Sequence, residues 1–262
     1  MLALLDVGRG EKLRQMKVLG ADITFNNKAS DSERQRQSAV FCRKGVAMKR
    51  KMKAAVLKEY HQALELKEVP IPIPKNNEVL IRVKASALCV SDIHIQDGII
   101  ASVHPPYIPG HELAGYVEAV GNDVTGLHTG DRVIASIDIT CGKCRFCLNG
   151  KTNLCQELLR IGFERNGSHA EYCVLPDSNV FKIGERIPFE QAACMLDAVG
   201  CMYNAVKHRG NVHAGAQVLI LGTGGLGMNA IQIVKLFGAE VFATSRNSLK
   251  LQIASDLGAD AV

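Results

Sequence analysis

Four cysteines, Cys141, Cys144, Cys147 and Cys155, recur in the pattern C-x2-C-x2-C-x7-C. Thiolates so closely spaced can enclose one Zn²⁺ tetrahedrally, each at about 2.3 Å. The intervening Gly142, Lys143, Asn149, Gly150 and Lys151 suit a loop that folds back on itself. Disulfide pairing is the competing reading, and it needs an oxidising compartment. The opening MLALLDVGRG is too short for a secretory signal and carries Asp6 too early. The chain also has nine cysteines, an odd number. The expectation is a zinc-bound loop in a cytoplasmic protein.

Further residues capable of chemistry flank that loop. Upstream stand Cys89-Val90-Ser91-Asp92-Ile93-His94 and Pro109-Gly110-His111-Glu112. Downstream stand Leu196-Asp197-Ala198 and Gly222-Thr223-Gly224-Gly225-Leu226-Gly227. Gly115 to Val133 reads GYVEAVGNDVTGLHTGDRV. In this order the motifs resemble the zinc-dependent medium-chain alcohol dehydrogenases, and the resemblance runs from Met52 to the C-terminus. A glycine-rich turn alone is a weak signal; the ordered set is specific. The resemblance implies an α/β protein with a GroES-like, partly open β-barrel catalytic domain over 52–205. A dinucleotide-binding Rossmann domain, a doubly wound parallel sheet, would follow over 206–262 and be incomplete.

A catalytic zinc needs about three protein ligands and an open position. The resemblance implies Cys89, His111 and Asp197, with aspartate standing where many relatives carry cysteine. Cys194 and Cys201 become alternatives to Asp197 only if the helix register shifts. Zinc would act as a Lewis acid on the alcohol or carbonyl oxygen, and hydride would pass between the alcohol carbon and a nicotinamide ring. The resemblance makes Ser91 the hydroxyl that takes the alcohol proton, and His94 the relay to solvent, where imidazole titrates usefully. Asp92 would orient His111, and Glu112 would lie behind the metal. The plainer alternatives are a turn hydroxyl for Ser91, a surface imidazole for His94, a cap or ion pair for Asp197 and an ion pair for Glu112. His104, His128, His169, His208 and His213 have no ligand-like context and read as ordinary.

GTGGLG, following a strand and opening a helix, is the context a dinucleotide fingerprint requires. Gly222 makes the tight turn, Gly224 admits the pyrophosphate, and Gly227 lets the helix pack on the strand, with Thr223, Gly225 and Leu226 completing the turn. The phosphates would sit at the helix N-terminus. NAD-users place an acid at the end of the next strand to hold the ribose hydroxyl. This chain reads Ala243-Thr244-Ser245-Arg246-Asn247 there. Ser245 and Arg246 would bind a 2′-phosphate that a carboxylate would repel, so NADP is expected rather than NAD.

Certain elements must position these residues. Ala54–Leu57, Val79–Ala85, Leu113–Val120, Arg132–Ile137, Ala170–Leu175 and Asn179–Lys182 read as barrel strands, broken by Pro70 to Pro74, Gly121-Asn122-Asp123 and Gly130-Asp131. Phe189 to Lys207 reads as helix. Val218–Leu221 reads as a buried parallel strand, and Gly227–Phe237 as a helix with Met228, Ile231, Ile233, Val234 and Leu236 facing the core.

The net charge of +5 does not mark a nucleic-acid binder. Residues 26–53 carry nine Lys or Arg against Asp31 and Glu33, which leaves the rest of the chain at −2. No run approaches membrane-spanning length. The resemblance implies small alcohols, aldehydes or ketones as partners, and a homo-oligomer for the complete family.

The segment from Lys12 to Asp22 repeats Lys, Leu, Leu, Gly, Ala and Asp at the offsets found from Lys250 to Asp260. The second copy follows a glycine-rich turn, a helix and a strand; the first does not. Residues 1–28 therefore read as a fragment of another cofactor domain, with Leu2–Leu5 and Ile23–Phe25 as strands and Glu11–Leu19 as a helix. Residues 29–51 read as a junction. On this reading the chain is a fused or truncated frame, and a zinc-binding remnant without catalysis is the alternative to an active enzyme.

Overall fold

The computed structural model describes Arg50 to Val262. The expected repeat, fragment and junction before Arg50 lie outside the described residues. The chain divides into two compact units after Ala193, upstream of the 205/206 boundary expected from sequence.

The first unit opens with β1 (Lys51–Val56), antiparallel to β2 (Glu65–Pro70). β3 (Glu78–Ala87) leads into α1 (Val90–Gln96), followed by β4 (Glu112–Val120) and β5 (Arg132–Ala135). The short pair β6 (Asp138–Ile139) and β7 (Leu159–Arg160) brackets the cysteine loop, which carries α2 (Arg145–Leu148). β8 (Tyr172–Pro176), β9 (Val180–Lys182) and α3 (Phe189–Ala193) complete the unit. Five of these strands form one antiparallel sheet in the order β8-β3-β4-β5-β9. Val79, Ile81, Leu113, Val117, Val133 and Leu175, on neighbouring strands, fill its core.

β1 is joined to this sheet's surroundings by two isolated bridges, Ala54 to Ala170 and Leu57 to Tyr107. That is the partly open barrel expected. β2 was not foreseen: its half-buried face carries Glu65 and Lys67 beside Val69 while Leu66 faces solvent, a weak apolar signal, and Pro70 ends it at an edge. Register shifts at Leu80/Ile81 and Val83/Ala85 bend β3 before it delivers Cys89.

In the second unit, the helical run expected to Lys207 is interrupted. π-helical turns occupy Met195–Val199 and Asn204–Arg209, separated by α4 (Gly200–Tyr203). β10 (Gln217–Leu221) is parallel to β11 (Glu240–Thr244), with α5 (Gly225–Leu236) and α6 (Ser248–Asp256) following each strand. The expectation of a buried β10 needs correction. Val218 and Ile220 pack on a core with Ile231, Val234 and Val241, but Leu219 and Leu221 are 60% and 79% exposed. Among the described residues β10 pairs only with β11, and its apolar run has one covered face. Leu236 is likewise exposed, because α5 buries Ala230, Ile231, Ile233 and Val234 instead.

Glu78 begins β3 as a buried carboxylate, accepting from the Lys75 amide at 3.0 Å and from Arg165 at 2.9 Å. Burial alone would raise its pKa, but the amide and the guanidinium outweigh it and hold the carboxyl below its ordinary range. A depressed folded pKa means that this contribution to stability is fully present above about pH 4.5 and is lost as pH falls through the folded value. Glu78→Gln should therefore cost about 1–2 kcal/mol at neutral pH. In urea titrations across pH 3–7 it should also flatten the acid limb; an unchanged acid limb would refute the assignment.

Candidate functional site

The cysteine loop brings its four thiols together: the ligand atoms of Cys141, Cys144, Cys147 and Cys155 all lie within 4.8 Å of one another. Cys141 Sγ is 3.9 Å from Cys147 Sγ, which is 3.5 Å from Cys144 Sγ. Tetrahedral ligands at a Zn–S distance of about 2.3 Å would sit about 3.8 Å apart. The observed spacings fit that geometry and exclude bonded disulfides, and the four are free thiols. Backbone amides favour the thiolate at two of the four, while burial and the neighbouring thiols push the Cys147 thiol up to about 12. The Cys147 amide is the leading influence drawing the Cys144 thiol down to about 6, and the Cys141 amide lowers that of Cys155 from 3.3 Å.

A second set forms within the first unit, where the ligand atoms of Cys89, His111 and Glu112 lie within 4.8 Å of one another. β3 ends just before Cys89, which is the N-cap of α1, and β4 starts at Glu112, so two strand ends and a helix start converge. Asp92, three residues into the helix, accepts the Cys89 amide at 3.0 Å and so satisfies a helix-start donor. Its other oxygen lies 3.6 Å from His111 Nδ1. Burial opposes ionisation of Asp92, but His169, His111 and the Cys89 amide prevail and keep its pKa below the usual range.

Ser91 Oγ is 3.4 Å from Cys89 Sγ. His94 lies one turn further along α1 and is exposed, so the two share a helix face running from the thiol to solvent. His111 and Glu112 are each 2% exposed, and the His111 ring rests on Phe163 at 5.1 Å between centroids. Asp197 belongs to the second unit, half-buried on the turn Met195–Val199. Single π turns inside helices are frequent at functional sites.

His169, read as ordinary in the sequence, is buried with Nε2 3.6 Å from Asp92. The positive φ of Gly110, +96°, directs the chain past this ring: a Cβ there would lie 2.4 Å from His169 Nδ1. Only tertiary pairing brings the residues together, since Ser168 and His169 donate their amides to the carbonyls of Gly110 and Pro109. The one local hint was a histidine just before a strand, which is too common to read.

In the second unit an open cleft of about 810 Å³ is lined by Gly222, Thr223, Gly224, Thr244, Ser245, Arg246, Asn247 and Lys250. A Cβ on Gly227 would lie 2.0 Å from the Gly222 carbonyl, so only glycine lets α5 start this close to the turn. Gly225 and Leu226 open that helix, and its first amides have no intrahelical acceptor. Thr223 Oγ1 is buried without a hydrogen-bond partner. The lining carries two cations and no carboxylate. Such a cleft suits a phosphorylated ligand, and the residues fit a dinucleotide.

The model of the alcohol dehydrogenase GroES-like domain matches residues 75–185. The chain is 41% identical over 214 residues to an alcohol dehydrogenase of Geobacillus stearothermophilus, covering 80% of this chain and 63% of that one. It is 40% identical to an L-threonine 3-dehydrogenase of Stenotrophomonas maltophilia, over 80% and 62% of the respective chains. A zinc-binding dehydrogenase of Sinorhizobium meliloti solved with NADP superposes with a TM-score of 0.77 at 32% identity, over 81% of this chain and 61% of that one. The chain thus spans a little under two thirds of the length of these relatives. No described helix is long and apolar enough to cross a membrane.

If a metal holds the cysteine loop, its thiols should resist alkylation. Mass spectrometry should find Cys141, Cys144, Cys147 and Cys155 labelled by iodoacetamide at least tenfold faster after treatment with a strong chelator. Equal labelling before and after would show that the thiols hold no metal.

Proposed function

We propose that this chain, which belongs to the zinc-dependent medium-chain alcohol dehydrogenase family, transfers a hydride between NADP(H) and an alcohol, aldehyde or ketone. The observation that supports this best is the convergence of Cys89, His111 and Glu112 in one unit, with Ser91 beside the thiol. Cys89 and His111 would hold the catalytic metal. Asp197 is added as a third ligand from the family resemblance and from the ordinary chemistry of carboxylates with zinc. The Cys141–Cys155 loop would hold a second, structural ion. Catalytic zinc, when bound, supplies Lewis-acid polarisation of the substrate oxygen.

The chain's own residues account for the proton and for orientation. Ser91 receives the proton of the alcohol and passes it along the shared helix face towards exposed His94, whose imidazole can hand it to solvent. Asp92 keeps the His111 ring in one orientation. Glu112 places negative charge behind the ligands. Gly222 to Gly227 admit the pyrophosphate to the amides opening α5, and Ser245 with Arg246 holds the 2′-phosphate. Free thiols persist in reducing compartments, which supports a cytoplasmic location.

Fluorescence titration of the full chain should find NADPH bound at least tenfold more tightly than NADH. Arg246→Ala should remove most of that preference, and Ser245→Asp should invert it. Equal affinities would refute the choice of nucleotide. Nucleotide binding with no oxidation of any alcohol in a panel including threonine would favour a non-catalytic zinc protein.

A further inference from the structure

Asp92 is held from two sides, and the proposed function uses only one of them. Facing it opposite His111 is His169, 5% exposed, with Nε2 3.6 Å from Asp92 Oδ2. The other ring nitrogen, Nδ1, is 3.0 Å from Ser86 Oγ, which is 2.7 Å from Ser168 Oγ, and both serines are fully buried. The main chain of His169 is fixed as well. Its amide donates to Pro109, and its carbonyl accepts from the Ala55 amide at 2.8 Å.

The chemistry of these groups sets their direction. An ionised carboxylate only accepts, so His169 must present Nε2–H to Asp92. Nδ1 of the neutral ring then accepts from Ser86, whose oxygen can accept from Ser168. Likewise His111 must present Nδ1–H to Asp92, which leaves its Nε2 lone pair for a metal. Both 3.6 Å contacts lie in ion-pair range, and His169 Nε2 has no hydrogen-bond partner in the structure. A few tenths of an ångström brings them within hydrogen-bonding distance.

We propose that His169 is a positioning residue for the metal centre, holding Asp92 so that His111 keeps its metal-binding tautomer and orientation. The inference rests on the reading of His111 as a metal ligand. The line Ser168, Ser86, His169, Asp92, His111 is then one hydrogen-bond chain whose donors converge on Asp92 from both sides.

The test uses the full chain stripped of metal and titrated with Co²⁺ against a competing chelator. Visible absorption distinguishes the all-sulfur loop from the Cys89/His111 site. His169→Phe fills the same space without a donor and should weaken the Cys89/His111 site at least tenfold, the range typical of groups that orient a ligand. Uptake by the cysteine loop should be unchanged, which also shows that the variant folds. His169→Gln, whose amide N–H can reach Asp92, should stay within a few-fold of the parent. Ser86→Ala, a smaller change, should weaken the site a few-fold. Unaltered affinity in His169→Phe, or equal loss in His169→Gln, would overturn the proposal. If the parent chain takes up cobalt only in the loop, the metal reading fails first and the inference falls with it.

Discussion

Taking a carboxylate out of water costs several kcal/mol unless charges and donors surround it. Asp92 is 2% exposed and carries its charge among such partners: the Cys89 amide, His111 and His169. The first unit is arranged around that requirement. β3 must end where Cys89 can cap α1, so that the helix begins with its third residue turned inward. β4 must begin where His111 enters the same pocket. The loop before β8 must return to the Pro109-Gly110 backbone for His169 to arrive. Cys89 with Asp92, then His111, then His169 therefore come from three separate stretches of chain, each fixed by backbone hydrogen bonds rather than by side-chain packing alone.

The two zinc-capable clusters differ in how the chain builds them. Cys141 to Cys155 form a local loop, held at its base by β6 and β7, whose sulfurs lie near tetrahedral spacing with amides already directed at them. Cys89 and His111 are brought together only by the sheet. A local site tolerates loss of distant contacts; a site assembled by the sheet does not. Metal binding by the loop would therefore need little help from the rest of the unit, whereas metal binding at Cys89 and His111 would report that the barrel is correctly formed.

Much of this organisation was legible in the residues. The cysteine spacing, the GTGGLG turn between strand and helix, and the positions of β3, β4 and α5 follow from local pattern. β2 was hidden because two of its half-buried residues are Glu65 and Lys67 and its one leucine faces solvent, giving little apolar contrast. The exposure of Leu219, Leu221 and Leu236 was hidden for the opposite reason: an apolar residue in a strand or helix reads as core, and only tertiary placement shows which face is covered. His169 was hidden because nothing around it in sequence resembles a site. Its significance comes from Asp92, 77 positions earlier in the numbering, and from the glycine that leaves room for its ring.

The most direct test is zinc per purified chain by elemental analysis, with Cys89→Ser and Cys144→Ser beside the parent. Two ions in the parent, falling to one in each variant, is the predicted result and establishes two independent centres. A single ion lost in Cys144→Ser but kept in Cys89→Ser would contradict the account, leaving only the cysteine loop as a metal site.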